Sequence, residues 1–350
     1  MKQWEAYIRK VTPYTAGEQP NEKDMIKLNT NENPYPPSPS VQKKYQELEL
    51  SQLRLYPDPN SSELVQALEK YHGLDRGQVF VGVGSDDVLS IAFQTFFNSG
   101  KPILFPDITY SFYPVWARMY GIPYKTPQLN EKFEIVPSDY AEENGGVIFA
   151  NPNAPTSIAL PLEGIQEMLQ YNQDVVVMVD EAYIDFGGQS ALSLLRQYEN
   201  LLVIRTYSKS RSMAGVRIGY AMGHETLIRA MNHVKESVNS YTMSYISISL
   251  GAAALPDEEY FQNKITQIIS TREHTKKRLE DLGFKVLDSS ANFLFVKHSR
   301  HSAKMIFHEL RKLKIYVRYF EKPRIDQYLR ISIGTEEEMG RALEALEQIV

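Results

Sequence analysis

Short apolar runs rich in β-branched residues recur between residues 79 and 222, and stretches with helical spacing separate them. Runs this apolar are typical of strands that are buried on both faces, and helices between them suit parallel crossovers. The predicted strands are residues 79–81, 103–105, 147–150, 175–179, 201–206 and 218–222. The pattern therefore predicts an α/β fold over residues 46–265: a large domain with a mostly parallel central sheet flanked by helices.

The pattern changes after about residue 260, where a long helical stretch over residues 260–282 leads into shorter elements. Further strands are predicted at residues 284–287, 293–296, 315–318 and 329–333. One helix is predicted near residues 302–313, and another ends the chain. This mixture predicts a smaller α+β domain over residues 266–350, with the boundary inside the long helix.

The first 45 residues lack this regularity. Residues 29–39 read Asn-Thr-Asn-Glu-Asn-Pro-Tyr-Pro-Pro-Ser-Pro, and proline fixes φ and lacks a backbone donor. The stretch is therefore predicted to form neither a helix nor a central strand. We expect residues 1–45 to be an N-terminal arm that lies across the fold and joins the small domain.

Composition narrows the class of protein. The 350 residues have a net charge of −5, with 43% hydrophobic and 23% charged residues, which is typical of a globular protein and not of a nucleic-acid partner. No apolar run approaches the roughly 20 residues of a membrane span, and the first ten residues lack the core of a signal peptide. A cytoplasmic protein is the expectation. Cysteine is absent, which removes disulfides, cysteine metal sites and thiol nucleophiles.

The first feature with chemical content is Val81-Gly-Val-Gly-Ser-Asp-Asp87, between a predicted strand and a helix. Glycines let the backbone approach a ligand, and a helix N-terminus offers free N–H groups to an anion. The segment fits a phosphate cradle, but it lacks the third glycine of a dinucleotide fingerprint. A tight turn capped by Ser85 or Asp86 explains it equally well.

The second feature is Asp180, at the end of a predicted buried strand. A carboxylate there is costly unless it is paired. A helix cap, a partner for an arginine and a metal ligand are alternatives, although no matching cluster of histidines or acids accompanies it, and no metal site is expected. The functional interpretation is a carboxylate that keeps a ring nitrogen protonated.

The third feature is Lys209, which follows a predicted strand and precedes Arg217 in a glycine-containing loop. A partly desolvated lysine has a lowered pKa and favours Schiff-base chemistry, and Arg217 with Thr206 and Ser208 could bind a phosphate. A solvent-facing lysine is the ordinary alternative. One cofactor needs all three features, because pyridoxal 5'-phosphate (PLP) requires a lysine, an acidic partner for its ring nitrogen and a phosphate site.

The order Gly-Ser-Asp, Asn-Pro-Asn-x-Pro-Thr, Asp-Glu-Ala-Tyr, Ser-Lys and Arg-x-Gly resembles fold-type I PLP-dependent aminotransferases. More narrowly, the chain is similar to the histidinol-phosphate aminotransferase family, in collinear order from about residue 12 onward. The segments that carry this likeness are Thr12-Pro-Tyr14, Leu28-Asn-Thr-Asn-Glu32, Arg54-Leu-Tyr-Pro57, Asp180-Glu-Ala-Tyr183, Thr206-Tyr-Ser-Lys209 and Leu329-Arg-Ile-Ser-Ile-Gly334.

The resemblance implies roles at the cofactor. Lys209 would hold PLP as a Schiff base and carry the proton between the substrate α-carbon and C4′. Asp180 would keep the pyridine nitrogen protonated, Tyr183 would hydrogen-bond the phenolic oxygen, and Tyr110 would stack on the ring. The residues implied around the phosphate are Gly84, Ser85, Asp86, Thr206, Ser208 and Arg217.

The resemblance also implies roles for substrate and assembly. Arg330 would clamp the carboxylate of glutamate or 2-oxoglutarate, a bidentate task that suits arginine. The residues implied for the substrate are Tyr14, Asn31, Glu32, Arg318 and Arg330. Tyr56 would reach the cofactor phosphate of a neighbouring subunit, which implies a homodimer with shared active sites.

One segment departs from the family pattern Asn-Pro-Asn-Asn-Pro-Thr-Gly, in which the second central Asn contacts the phenolic oxygen. Here Ala154 stands at that position and Ser157 replaces the glycine. An alanine cannot make the contact. Either Asn153 takes it over or Tyr183 acts alone.

The implied activity is transamination of L-histidinol phosphate with 2-oxoglutarate to imidazole acetol phosphate and L-glutamate, in histidine biosynthesis. A broader aromatic aminotransferase and a threonine-phosphate decarboxylase remain alternatives on the same scaffold. A dinucleotide-binding oxidoreductase would leave Lys209 and Asp180 without a role. A catalytically inactive PLP-fold binder would not need Lys209, Asp180 and Arg217 together.

Overall fold

The structure is a computed structural model that describes residues 2–15 and 17–350. The helices are α1 (Pro39–Gln46), α2 (Ser62–His72), α3 (Ser85–Phe96), α4 (Tyr113–Tyr120), α5 (Leu162–Tyr171), α6 (Glu225–Val238), α7 (Tyr245–Ala253), α8 (Glu258–Asp281), α9 (Ala303–Lys312) and α10 (Glu336–Ile349). Short 3₁₀ turns lie at Gln3–Tyr7, Leu50–Arg54, Pro137–Tyr140, Ile184–Phe186, Ala191–Leu194 and Ala214–Val216.

The strands are β1 (Ile26–Lys27), β2 (Val79–Gly82), β3 (Ile103–Leu104), β4 (Tyr124–Lys125), β5 (Val147–Ala150), β6 (Val177–Asp180), β7 (Leu201–Thr206), β8 (Gly219–Gly223), β9 (Phe284–Val286), β10 (Phe293–His298), β11 (Ile315–Tyr316), β12 (Arg318–Tyr319) and β13 (Leu329–Ser332). Each predicted strand of the large domain lies within two residues of an observed one. The edge strand β4 is an addition, and its two residues are too few to produce a pattern.

The large sheet has the strand order β2-β8-β7-β6-β5-β3-β4. Strand β8 runs antiparallel to β2 and β7, and the remaining pairs are parallel. Alternate residues of β6 enter two separate cores: Val177 and Val179 belong to one, and Met178 belongs to the other. The sheet is therefore covered on both faces, and the predicted mostly parallel α/β architecture is confirmed.

Helix α2 illustrates why these sequences fold locally as they do. Leu64 and Leu68, one turn apart, are fully buried on its inner face. Gly73 caps its C-terminus in the left-handed conformation, at φ 63°, where glycine has no steric cost.

A second, antiparallel sheet has the order β12-β13-β10-β9 and packs with α8, α9 and α10 in a core of its own. The predicted smaller α+β unit is therefore present. The prediction of a single strand at residues 315–318 is wrong. The segment divides into β11, which pairs with β1, and β12, which pairs with β13. Val317 separates them, so one apolar run serves two sheets. The division at residue 266 stays a prediction.

The N-terminal arm contains more structure than its prolines indicated. Strand β1 pairs in parallel with β11, and Ser332 donates its backbone N–H to the carbonyl of Leu28, so the arm does join the second sheet. Helix α1 begins at Pro39 within the predicted arm, which corrects the expectation of an irregular segment. Proline is well tolerated at the first helical position because that N–H has no intrahelical partner.

Within the described residues, no helix combines the length and apolar character that a membrane span requires.

Candidate active site

A cavity of about 180 Å³ opens where β5, β6 and β7 end, between the large sheet, the arm and the second sheet. Carboxyl ends of parallel strands are the usual ligand-binding edge of open α/β sheets. The residues that line the cavity are Tyr14, Gly17, Asn29, Thr30, Asn31, Ser85, Asp86, Tyr110, Ala150, Ala154, Asp180, Ala182, Tyr183, Thr206, Ser208, Lys209, Arg217, Arg318 and Arg330. Most of the predicted site residues therefore lie around one space.

The N-terminus of α3 forms one end of this cavity. Gly84, at φ 85°, precedes the helix, and a Cβ there would lie 2.4 Å from Nη2 of Arg217. Arg217 itself is left-handed, at φ 58°, and its Nη1 lies 3.5 Å from Oγ of Ser208. Backbone N–H groups, hydroxyls and a guanidinium thus converge where a side chain at residue 84 would intrude. This arrangement fits the phosphate of a bound ligand.

Lys209 follows β7 and reaches into the cavity. Its Nζ donates to the carbonyl oxygen of Thr30 at 2.9 Å and lies 5.8 Å from the ring centre of Tyr183. Asn33 donates through Nδ2 to the carbonyls of Lys209 and Ser210, both at 3.1 Å. The arm therefore holds both the backbone and the ammonium of this lysine, and the sequence carried no sign of these contacts because they join residues far apart in the chain.

Asp180 ends β6 and is buried at the floor of the cavity. Burial raises the pKa of its carboxyl group to about 7, although Oδ2 accepts from the Tyr113 hydroxyl at 2.9 Å and the N–H of Ala182 donates to Oδ1 at 3.3 Å. A cation placed in the cavity beside this carboxylate would return the pKa toward its ordinary range. A protonated ring nitrogen is such a cation.

Behind Asp180 lies a buried ion pair that the sequence did not reveal. Arg205 of β7 donates through Nε to Glu181 at 3.0 Å and through Nη2 to Ser190 at 2.8 Å. Burial raises the pKa of Glu181. Burial by itself lowers the pKa of Arg205, but Glu181, Tyr220 and Asp185 together outweigh it, so the pKa of Arg205 is raised. The pair ties the segment after Asp180 to the strand that leads to Lys209. The sequence signal that could have revealed this pair is Arg205, a charged residue in an otherwise largely apolar strand.

Replacing Glu181 by Gln is expected to lower the free energy of unfolding by about 3 kcal/mol, because it leaves Arg205 buried without its main counter-ion. Chemical denaturation measures this. Glu142→Gln is the matched control, since Glu142 pairs with Lys125 on the surface, where loss of an ion pair costs less than about 1 kcal/mol. Equal losses in the two variants would contradict a structural role for the buried pair.

Two arginines of the second sheet face the other end of the cavity. Arg330 donates through Nη2 to the carbonyl of Asn29 at 3.0 Å, while its buried Nε has no partner in the described chain. Burial and the neighbouring Arg318 both lower the pKa of Arg330. No carboxylate of residues 2–15 or 17–350 forms an ion pair with either guanidinium. An anion bound beside Arg318 and Arg330 would supply the counter-charge that these guanidinium groups lack.

Three of the four tyrosines predicted for the site, Tyr14, Tyr110 and Tyr183, line the cavity. Tyr110 donates its hydroxyl to Asp86 at 2.7 Å, which fixes its ring beside the α3 end. Burial raises the pKa of Tyr110 well above its ordinary value, so the hydroxyl stays protonated. Tyr14 stacks on Phe112 with ring centres 4.1 Å apart and lies 6.4 Å from Tyr110.

Four predicted residues do not line the cavity: Gly84, the residue before α3, and Asn153, Glu32 and Tyr56. Asn153 is buried and committed elsewhere: its Nδ2 donates to the carbonyl of Ile108 at 2.9 Å, and its Oδ1 accepts from Thr109 at 2.8 Å. Its amide is directed to these partners and not into the cavity, so the idea that Asn153 replaces the missing contact of Ala154 stays a prediction. Glu32 is turned away and bound to Lys27 and Thr30, which lower its pKa against the effect of burial. Tyr56 is 82% exposed and stacks on Tyr241.

Among the described residues, no group of three or more His, Asp or Glu side chains is arranged to hold a metal ion. The metal-ligand alternative for Asp180 therefore has no supporting geometry.

A family model for aminotransferase class I and II matches residues 23–346. The chain belongs to the class I and II aminotransferases. This aminotransferase is 52% identical over 347 residues to histidinol-phosphate aminotransferase 1 of Hydrogenovibrio crunogenus, an alignment that covers 99% of this chain and 98% of the relative. It is 50% identical to the histidinol-phosphate aminotransferase of Lactococcus lactis, with 99% and 97% of the two chains covered. The family predicted from the motifs is confirmed.

Solved structures agree with this assignment. The histidinol-phosphate aminotransferase of Sinorhizobium meliloti, in complex with pyridoxal-5'-phosphate, superposes on this aminotransferase with a TM-score of 0.86 at 25% identity, over 93% of this chain and 90% of that one. L-threonine-O-3-phosphate decarboxylase of Porphyromonas gingivalis has a TM-score of 0.78 at 20% identity, over 93% and 99%. The fold alone thus does not separate transamination from decarboxylation.

Proposed function

We propose that this aminotransferase uses PLP to transfer the amino group of L-histidinol phosphate to 2-oxoglutarate, giving imidazole acetol phosphate and L-glutamate in histidine biosynthesis. The observation that carries the proposal is one cavity that contains Lys209 and Asp180 and is lined by two groups of residues suited to anions: Ser85, Ser208 and Arg217, and the pair Arg318 and Arg330. One anion site suits the phosphate of the cofactor, and the other suits the phosphate or carboxylate of a substrate. Relatives named histidinol-phosphate aminotransferase at about half identity support this choice of substrate.

The residues present fit PLP. Gly84 leaves room at the N-terminus of α3, and Ser85, Ser208 and Arg217 would bind the cofactor phosphate there. Asp180 would face the ring nitrogen, Tyr110 would lie against the ring, and Lys209 would bind the aldehyde carbon. When bound, the cofactor supplies an electron sink for the pair of electrons left when the substrate α-carbon loses its proton.

The residues of the chain have three tasks during the reaction. Asp180 holds the proton on the ring nitrogen, and its burial strengthens that charge interaction. Nζ of Lys209 removes the proton from the substrate α-carbon and returns it to C4′ of the cofactor, which is general acid–base catalysis. Tyr183 donates its hydroxyl to the cofactor's phenolic oxygen.

Arg330 and Arg318 would bind the substrate anion. L-Histidinol phosphate has a phosphate and no carboxylate, whereas 2-oxoglutarate has two carboxylates, so the same guanidinium pair must accept either group. A planar guanidinium with an unpaired Nε can bind carboxylate or phosphate oxygens in a bidentate way. Tyr14, which lines the same cavity, is a hydroxyl candidate for a further contact with the substrate.

Changing Arg330 to Lys is expected to raise KM for 2-oxoglutarate by at least about tenfold, because lysine keeps the charge but loses the paired N–H donors. Steady-state kinetics with the second substrate saturating measures the change. Arg311→Lys is the control, since Arg311 pairs with Glu18 on the surface. An unchanged KM for both substrates in Arg330→Lys would remove Arg330 from the substrate site.

The test of the function is the half-reaction of the holoenzyme. We expect L-histidinol phosphate, added without a keto acid, to replace the absorption of the cofactor's aldehyde form by that of its amine form, and 2-oxoglutarate to reverse this. A response to tyrosine or phenylalanine alone would keep the aminotransferase and overturn the substrate. Release of carbon dioxide from threonine phosphate without consumption of a keto acid would indicate the decarboxylase.

We also propose a homodimer in the cytoplasm. Leu50, Leu53, Leu55 and Tyr56 form an exposed, largely apolar stretch of the kind that a partner subunit covers. Tyr56 would then extend into the partner's site and contact its cofactor phosphate, which explains why this tyrosine does not line the cavity of its own chain. The cytoplasmic location follows from the biosynthetic role.

A further inference from the structure

Asn31 is held by hydrogen bonds on both its backbone and its side chain. It adopts a left-handed conformation at φ 56°, which asparagine tolerates better than most residues. Its backbone N–H donates to Oγ of Ser332 at 2.9 Å, and its carbonyl accepts from Nδ2 of Asn292 at 3.0 Å. The residue is 1% exposed. Ser332 of β13 and Asn292, which directly precedes β10, therefore hold the N–H and the carbonyl of Asn31.

The direction of the Asn31 amide follows from the hydroxyl of Ser332. That hydroxyl accepts from the Asn31 N–H, so its single proton is free to be donated, and it lies 2.9 Å from Oδ1 of Asn31. The amide oxygen consequently faces Ser332. The opposite end of the amide, Nδ2, faces the Tyr183 hydroxyl at 3.0 Å and donates to it.

This contact decides what Tyr183 can do with its own proton. A phenol oxygen that accepts from an amide must direct its single O–H elsewhere. Tyr183 also packs against the methyl group of Ala154 and the ring of Phe293, which offer no strong acceptor. Because Tyr183 also lines the cavity, the remaining direction for its proton is the cavity itself.

We propose that Asn31 and Ser332 are positioning residues that make Tyr183 a hydrogen-bond donor to the cofactor's phenolic oxygen. The inference rests on the proposed function, since it needs PLP in the cavity. It gives Asn31 a task different from substrate binding: its amide reaches the cofactor through Tyr183. It also accounts for a contact to the phenolic oxygen at a site where residue 154 has no polar side chain.

The chain of hydrogen bonds from Ser332 through Asn31 to Tyr183, called the relay below, has a measurable consequence in the holoenzyme. A donor to the phenolic oxygen stabilises its negative charge, and that charge is greatest when the nitrogen joined to the cofactor has lost its proton. Donation by Tyr183 therefore lowers the pH midpoint of the cofactor's absorption change. In Asn31→Asp, a carboxylate oxygen would replace Nδ2 and accept the proton of Tyr183, so the donation would be lost and the midpoint would rise.

The experiment is a spectrophotometric pH titration of the PLP-loaded protein in a double-mutant cycle with Tyr183→Phe. Asn31→Asp is expected to raise the midpoint by about one pH unit in the parent protein and by much less in Tyr183→Phe. The added negative charge acts equally in both backgrounds, so the difference between them reports the relay. Equal shifts in the two backgrounds, or no shift in the parent protein, would overturn the inference.

Two further variants complete the design. Asn31→Gly keeps the left-handed backbone, adds no charge and leaves Tyr183 without its donor; a smaller upward shift, again absent in Tyr183→Phe, is expected. Ser332→Ala frees the amide to rotate and should shift the midpoint in the same direction. A normal response of the parent protein to L-histidinol phosphate together with unshifted variants would refute the relay alone. Absence of any cofactor absorption in the parent protein would overturn both the relay and the proposed function.

Discussion

Lys209→Ala should lower kcat by at least about a thousandfold, since it removes both the group that binds the cofactor aldehyde and the base that moves the α-proton. Steady-state turnover of the PLP-supplemented variant measures the loss. The amine nitrogen of Lys209 already lies in the cavity, held by the carbonyl of Thr30 at 2.9 Å. Steady-state turnover within tenfold of the parent protein would reject Lys209 as the catalytic base.

Lys235 provides a matched control for this loss. Its side chain is buried, and its Nζ donates to the carbonyl of Pro59 at 3.0 Å, a contact similar to the one between Lys209 and Thr30. It lies outside the cavity. Lys235→Ala is therefore expected to reduce stability while it leaves kcat within a fewfold of the parent value. A loss of turnover similar to that of Lys209→Ala would show that burial, and not position, determines the effect.

Asp180→Asn should lower kcat by at least about a hundredfold, the equivalent of the roughly 3 kcal/mol that a charge-assisted hydrogen bond contributes. The neutral amide cannot hold the proton on the cofactor's ring nitrogen. Tyr113→Phe is the control, because it removes one donor to Asp180 and leaves the carboxylate in place. Its turnover should fall less. Equal losses in the two variants would make the Tyr113 contact the decisive one.

Asp180→Asn lowers turnover, but it should raise the stability of the apoprotein relative to the parent protein as the pH rises. The pKa of Asp180 is about 7 in the folded protein, against an ordinary value of 3.8, so the folded state binds the extra proton between these pH values. The stability of the parent apoprotein is therefore lost progressively as the pH rises from 3.8 to about 7. The asparagine variant lacks this titration, and its melting temperature should gain on the parent across that window. A constant difference across the window would contradict the raised pKa.

The sequence predicted the large sheet and the cavity well because both depend on local signals. Buried parallel strands are largely apolar; Asp180 ends one of them, and Lys209 lies three residues after another. Gly84 was visible because a close approach of backbone needs glycine, and the structure shows Arg217 where a Cβ would lie. These signals span a few residues each, so they can be recognised without knowledge of the tertiary fold.

The contacts that the sequence missed join residues distant in the chain. Asn33 binds the backbone of Lys209, and Asn31 binds Tyr183, but no periodicity or spacing links the arm to those positions. Asn153 looked suitable as a neighbour of Ala154, yet its amide points toward Thr109 in another loop. Side-chain direction at a turn depends on the packing around it, and an adjacent position in the sequence does not determine it.

The pairing of the arm with the second sheet also sets the order in which the site is completed during synthesis. Asn31 and its partner Ser332 are 301 residues apart, which at typical rates of about 5–20 residues per second delays their meeting by about 15–60 s. The strands of the large sheet, from β2 to β8, leave the ribosome well before that. A nascent chain that has not reached Ser332 can therefore form the phosphate cradle and place Lys209 near it. The arm, Tyr183 and Arg330 reach their final contacts only after the last strand has been synthesised.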